Sequence, residues 1–158
     1  MATAGKKASR PVHPAHRLDE ILGLSREIRA FERRVGHARL ADLVERGFPS
    51  NSVAVLSAYT GLSHKRLAEA ASIPTRTLER RVSAKERLKP DESDRLARIA
   101  RIWAMAEEVF GARSAVERWM EEPNRALDGR RPIDELGTEV AAREVEDLIG
   151  RIREGGFA

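Results

Sequence analysis

The residues of this chain best suited to chemistry are hydrogen-bond donors rather than nucleophiles. Thr75, Arg76 and Thr77, with Arg80 a turn later, put guanidinium and hydroxyl groups on one helical face. Arginine can pair bidentately with guanine, and threonine can offer a hydroxyl or a methyl group to a base edge. Lys65, Arg66, Arg81 and Lys85 surround them and are the residue types that meet phosphate oxygens, which give affinity without sequence choice. Residues 63–81 must position these groups, and they read as two short helices around a tight turn. Ser63 caps the first helix, Leu67 and Ala71 face inward, and Ala68 is small where the second helix must cross closely. Ile73 plugs the turn, and Pro74 sits where a first helical turn tolerates proline. In such a helix-turn-helix the second helix enters the major groove. Ser72 departs from the pattern, since many such motifs carry glycine four residues after the small alanine. The alternative is a helical hairpin whose basic face is only solvated.

Catalytic chemistry finds little support. The chain has no cysteine, no G-x-S-x-G run and no phosphate-binding loop. Its four histidines, at positions 13, 16, 37 and 64, lack metal-ligand spacing. Glu107-Glu108 and Glu121-Glu122 are adjacent pairs, which diverge on a helix. The expectation is a protein that is not an enzyme and uses no metal or cofactor.

Charge is distributed unevenly. The net charge of +4 combines a basic middle, with eight basic and three acidic groups in residues 61–90, and an acidic end, with eight basic and thirteen acidic groups in residues 106–158. This suggests two different partners on one chain, against the blander reading of charge scattered over solvated helices. No apolar run approaches the roughly 20 residues of a membrane span, and the N-terminus lacks the apolar stretch of a secretory signal. A cytoplasmic protein without membrane contact is expected. At 158 residues the chain can bury one modest core, or two small helical units sharing a seam.

Hydrophobic spacing predicts an all-α fold. Residues 1–16 carry basic groups and two prolines without periodicity, which reads as a disordered tail. Residues 17–105 form the unit that holds the helix-turn-helix: an apolar set from Leu18 to Ile28 running towards Val35, a helix over Leu40–Val44 ending at Gly47, and a helix over Val53–Tyr59 stopped by Gly61. Lys89-Pro90-Asp91-Glu92 then opens the longest helix, whose stripe from Leu96 to Phe110 reads as core or dimer seam. Residues 106–158 form a third segment. There a helix bearing Val116, Trp119 and Met120 stops at Pro123, a turn follows at Asp128-Gly129, and Thr138 caps a last helix with Val145, Leu148, Ile149 and Ile152 inward.

The run Trp119-Met120-Glu-Glu-Pro123-Asn124-Arg-Ala126-Leu127-Asp-Gly129-Arg-Arg-Pro132 resembles the toxin-binding domain of Xre/ParS-type antitoxins, the partners of RES-domain toxins. The pattern there reads W-(L/M)-x-x-P-N-x-A-L-x-G-x-x-P, and Ile73-Pro-Thr-Arg-Thr-Leu78-x-Arg80-Arg81 matches what such antitoxins carry in their N-terminal unit. The resemblance covers roughly residues 36–156. It implies an antitoxin that docks over the NAD cleft of a RES toxin, which degrades NAD or transfers ADP-ribose from it, and that binds the operator DNA of its own operon as a homodimer. Candidate toxin-binding residues are Trp119, Asn124, Arg130, Arg131, Arg151, Arg153, Glu154 and Phe157. Two rival readings stay open: a stand-alone helix-turn-helix regulator whose C-terminal domain only dimerises, and an adaptor with a non-binding helix-turn-helix.

Overall fold

A computed structural model describes residues 14–35 and 39–155, so residues 1–13 of the expected tail and the candidate Phe157 lie outside the described residues. Residues 14–16, expected in the tail, belong instead to the first helix. The described residues form helices only, apart from a single bridge between Asn124 and Arg130. Helices α1 (Pro14–Ile21) and α2 (Ser25–Val35) divide the apolar set that begins at Leu18. The break is at Gly23, where φ is +66° and a Cβ would stand 2.8 Å from Val55 Cγ2. Helix α3 (Leu40–Arg46) ends at Gly47 and α4 (Asn51–Thr60) at Gly61, both as the sequence expects.

Helix α5 (His64–Ala70) and α6 (Thr75–Ser83) are the two limbs of the expected helix-turn-helix. Helix α7 (Pro90–Phe110) follows and forms the axis of the molecule. Proline in its first turn and Asp91 and Glu92 beside it suit a helix start, and Glu92 accepts from the Lys89 backbone N–H at 2.7 Å. α7 packs against α1, α3 and α4 on one side and against α8 (Arg113–Glu121) and α9 (Glu139–Arg153) on the other. Its Leu96, Ile99, Ile102, Trp103 and Ala106 are buried within the chain. The stripe that could have served as a dimer seam is therefore core, and a second copy would have to use another surface. Because α7 runs through position 105, the N-terminal and C-terminal units share one continuous hydrophobic cluster. No described helix is long and apolar enough to cross a membrane.

Between α8 and α9 the chain makes two short 3-10 turns, Arg125–Leu127 and Pro132–Glu135. Leu127, Pro132, Ile133 and Leu136 are buried beneath them, while Thr138 caps α9 by accepting from Ala141 N–H at 3.3 Å.

Candidate functional site

The first candidate surface is built by the turn between α5 and α6. Ser63 Oγ accepts from Arg66 N–H at 3.1 Å and starts α5. Leu67, Ala68, Ala71, Ile73 and Leu78 are buried, and Ile73 N–H donates to Ala68 O at 2.9 Å to close the turn. Ser72 occupies the left-handed region at φ +51°, the conformation for which glycine is the usual residue. Pro74 takes the cap position of α6, with Thr75 as its first helical residue.

Along α6, Arg76, Glu79, Arg80 and Ser83 are exposed, and Thr75 and Thr77 are half-buried beside them. Arg76 has no ion pair among the described residues, while Arg80 is held by Glu86 at 2.7 Å. Lys65 is 74% exposed and only loosely paired with Glu69 at 4.0 Å, and Lys85 is exposed beyond the end of α6. The structure thus brings Thr75, Arg76, Thr77 and Arg80 together on one accessible helix.

Arg66 and Arg81, expected at phosphates, are turned inward instead. Arg81 is 9% exposed, with Nε 2.6 Å from Glu92 and Nη1 donating to Arg87 O at 3.3 Å. Arg66 spans the two units: its Nε and Nη2 donate to the Glu121 carboxylate at 2.7 and 2.9 Å, and Nη2 also donates to Asp134 at 2.9 Å. Arg131 completes a ring of alternating charge, donating to Asp134 at 2.7 Å and lying 3.6 Å from Glu121. The hydrogen bond to Glu121 outweighs the cost of burial and, with Asp134, holds the Arg66 pKa above its ordinary value. At Asp134 burial pushes the pKa up, but hydrogen bonds from Arg131 and Arg66 more than offset it and the net shift is downward. Both arginines are thus committed to internal partners that a local sequence pattern does not reveal, since Glu121 and Asp134 lie 55 and 68 residues from Arg66.

The second candidate surface is the loop after α8 and the outer face of α9. Asn124 is structural: its side chain accepts from Ala126 N–H at 2.9 Å, and its backbone closes the loop against Arg130 O at 3.0 Å and Gly129 N at 2.9 Å. Trp119 is half-buried, its ring centroid 5.2 Å from that of Phe110. Arg130 projects from the loop, tied to Glu135 at 2.8 Å and 3.8 Å from Glu144 of α9. Val140, Glu144, Asp147 and Arg151 follow at helical spacing and are all exposed. Val140, at 76% exposure, is the large hydrophobic residue left in water among the described residues, a position sequence reasoning missed. Arg151, Arg153 and Glu154 line an open groove with Met105, Glu146, Asp147 and Gly150. At the start of α9, burial acts to raise the Glu139 pKa, but hydrogen bonding from Arg98 and the charge of Arg101 bring it below the ordinary value. No cluster of metal-ligating side chains occurs among the described residues. Both surfaces offer charged and hydrogen-bonding groups suited to binding.

Comparison with known proteins agrees with this division. Residues 39–101 match the antitoxin Xre-like helix-turn-helix domain, and residues 105–155 match the antitoxin Xre/MbcA/ParS C-terminal toxin-binding domain. The chain is 34% identical over 120 residues to an antitoxin Xre of Yersinia enterocolitica, covering 75% of this chain and 81% of that protein. It is 42% identical over 83 residues to an antitoxin Xre of Pseudomonas putida, 52% of each chain. Its fold is similar to a chain in the crystal structure of the M. tuberculosis MbcT–MbcA toxin–antitoxin complex, with a TM-score of 0.52 and 25% identity over 69% of this chain and 96% of that one.

Proposed function

Because the chain belongs to the Xre antitoxin family, we propose that it neutralises a RES-domain, NAD-consuming toxin by covering the toxin's active-site cleft with its C-terminal unit. It also represses its own operon by reading operator DNA through α6, as a homodimer. The observation that carries the first part is the match of residues 105–155 to a toxin-binding domain, on a unit whose loop and outer α9 face expose Arg130, Arg131, Val140 and Arg151. A neighbouring fold from a toxin–antitoxin complex supports the same reading. For the second part, the support is the helix-turn-helix match together with the accessible Arg76 and Arg80.

Trp119 acts mainly by packing α8 onto the end of α7 through its contact with Phe110, and Asn124 by capping the loop after α8. Arg130, Arg131, Arg151, Arg153 and Glu154 make the direct toxin contacts, and Phe157 adds an aromatic contact to the toxin. Thr75, Arg76 and Thr77 meet base edges, while Lys65 and Lys85 meet phosphates. The reading is tested by expressing the toxin encoded beside the gene with and without this chain, following growth and cellular NAD together. Rescue of growth with restored NAD supports an NAD-degrading target, and rescue without NAD loss supports an ADP-ribose-transferring one. Arrest that persists although both proteins are soluble overturns the antitoxin reading.

A further inference from the structure

A groove of about 440 Å³ lies between the start of α4 and the end of α6, with Ser50, Asn51, Ala54, Val82, Lys85 and Arg87 among its lining residues. None of the residues lining it is acidic, and α4 has no acid in its first turn. Ser50 is only 8% exposed, yet its hydroxyl has no hydrogen-bond partner among the described residues. Buried hydroxyls are ordinarily partnered, so this one marks a place where an outside group completes the bonding. The N–H groups of Ser50 and Asn51 stand beside it. They precede the first bonds of the helix, which run from Ser52 N–H to Pro49 O at 2.9 Å and from Val53 N–H to Ser50 O at 3.1 Å. A helix start presents such free donors at the positive end of its dipole, which favours an anion.

Two cations reach the groove, and they differ in what they have left to give. Arg87 is committed, its Nε and Nη2 donating to Gly47 O at 2.9 and 2.6 Å and its Nη2 to Glu27 at 3.2 Å. Lys85 is exposed and has no ion pair among the described residues. Its own backbone is fixed at φ +55°, with its N–H donating to Val82 O at 3.2 Å. We propose that this groove binds one phosphate group, held by the Ser50 hydroxyl, the N–H groups that open α4 and the Lys85 ammonium. A tetrahedral anion suits donors that arrive from a helix end, a side-chain hydroxyl and a facing lysine, and the apolar Ala54 and Val82 strengthen its attraction to that lysine. The phosphate belongs either to a DNA strand beside α6 or to a free phosphate ester. The first source rests on the DNA-binding reading above, and the second stands without it.

The test titrates the full chain, labelled with nitrogen-15, with sodium phosphate and separately with sodium chloride at equal ionic strength and pH. The amide resonances of Ser50 and Asn51 should shift saturably with phosphate alone. Ser50→Ala breaks no hydrogen bond within the chain and should weaken phosphate binding by about tenfold, the usual worth of a hydrogen bond to a charged group. Lys85→Gln, on an exposed residue, serves as a second variant and should weaken it in the same direction. Equal shifts with chloride, or variants that bind phosphate as tightly as the wild type, overturn the site. Fluorescence anisotropy on a DNA fragment from upstream of the gene then separates the two sources. A Ser50→Ala chain that also loses DNA affinity assigns the site to the DNA backbone, and unchanged DNA affinity assigns it to a free phosphate ester. A wild-type chain that binds phosphate but no DNA overturns the DNA-binding reading and keeps the site.

Discussion

The guanidinium of Arg66 donates to the carboxylate of Asp134 at 2.9 Å, joining a helix of the helix-turn-helix to a turn of the C-terminal unit. With Glu121 and Arg131 the pair forms a closed ring in which every charge has two opposite neighbours. Replacing Arg66 by alanine leaves two partly buried carboxylates facing one remaining arginine. Removing one partner of a fully buried pair costs about 3–5 kcal/mol, and with both carboxylates about a third exposed a loss of about 2 kcal/mol is expected. Thermal unfolding should show it as a fall in Tm of about 4–8 °C.

The same placement separates two kinds of basic residue in DNA binding. Lys65→Ala should reduce the slope of log affinity against log salt by about one, the signature of one lost phosphate contact. Arg66→Ala should leave that slope unchanged. Arg76→Ala should cost about 1–3 kcal/mol on the operator and much less on unrelated DNA, because a base contact discriminates and a phosphate contact does not. Titrations at several salt concentrations on both DNAs resolve the three cases.

Ser72 and Gly137 make a mutually dependent pair. Gly137→Ala alone should destabilise the fold by about 1–3 kcal/mol, since the new Cβ meets the Ser72 side chain. Placing glycine at 72 removes that side chain and relieves a left-handed serine, so Ser72→Gly should rescue most of the loss. A double-mutant cycle measured by denaturant unfolding reports the coupling directly, and additive effects would contradict the contact.

Helix ends were the most legible part of the sequence. The signals at Gly47, Gly61, Thr138 and Lys89-Pro90 are local, acting through backbone conformation and capping, and each sits where the fold uses it. The departure at Ser72 from the glycine of the motif is a signal of the same class, since the turn there has positive φ. The inward pairing of Arg66 and Arg81 was not legible, because a cation on a helix looks the same whether it faces a phosphate or a distant carboxylate. Their partners Glu121, Asp134 and Glu92 are brought close only by tertiary packing. Of the two readings of the α7 stripe, core is the one the fold realises; apolar spacing gives burial but does not name the covering surface, which here is α1, α3, α4, α8 and α9 of the same chain.

Acid should loosen the joint between the units. Folding holds Asp134 and Glu139 below their ordinary values of 3.8 and 4.5. A lowered folded pKa contributes stability that is complete above the ordinary value and is lost as pH falls through the folded one. These two groups should therefore leave stability flat from about pH 6 to 8 and draw it down below about pH 4.5. The variant Asp134→Asn should be less stable at neutral pH and should show a shallower acid decline.

Removing residues 151–158 should weaken toxin neutralisation more than it weakens folding, because Arg151, Arg153 and Glu154 are exposed while the inward Val145, Leu148 and Ile149 remain. Parallel melting and inhibition curves separate the two effects. Unchanged neutralisation would remove the terminal arm from the interface.

The most direct test of the central claim is a titration of the purified toxin's NAD consumption with this chain. Activity should fall stoichiometrically as the complex forms, and NAD should compete with complex formation. A stable complex that consumes NAD at the rate of free toxin would contradict active-site covering.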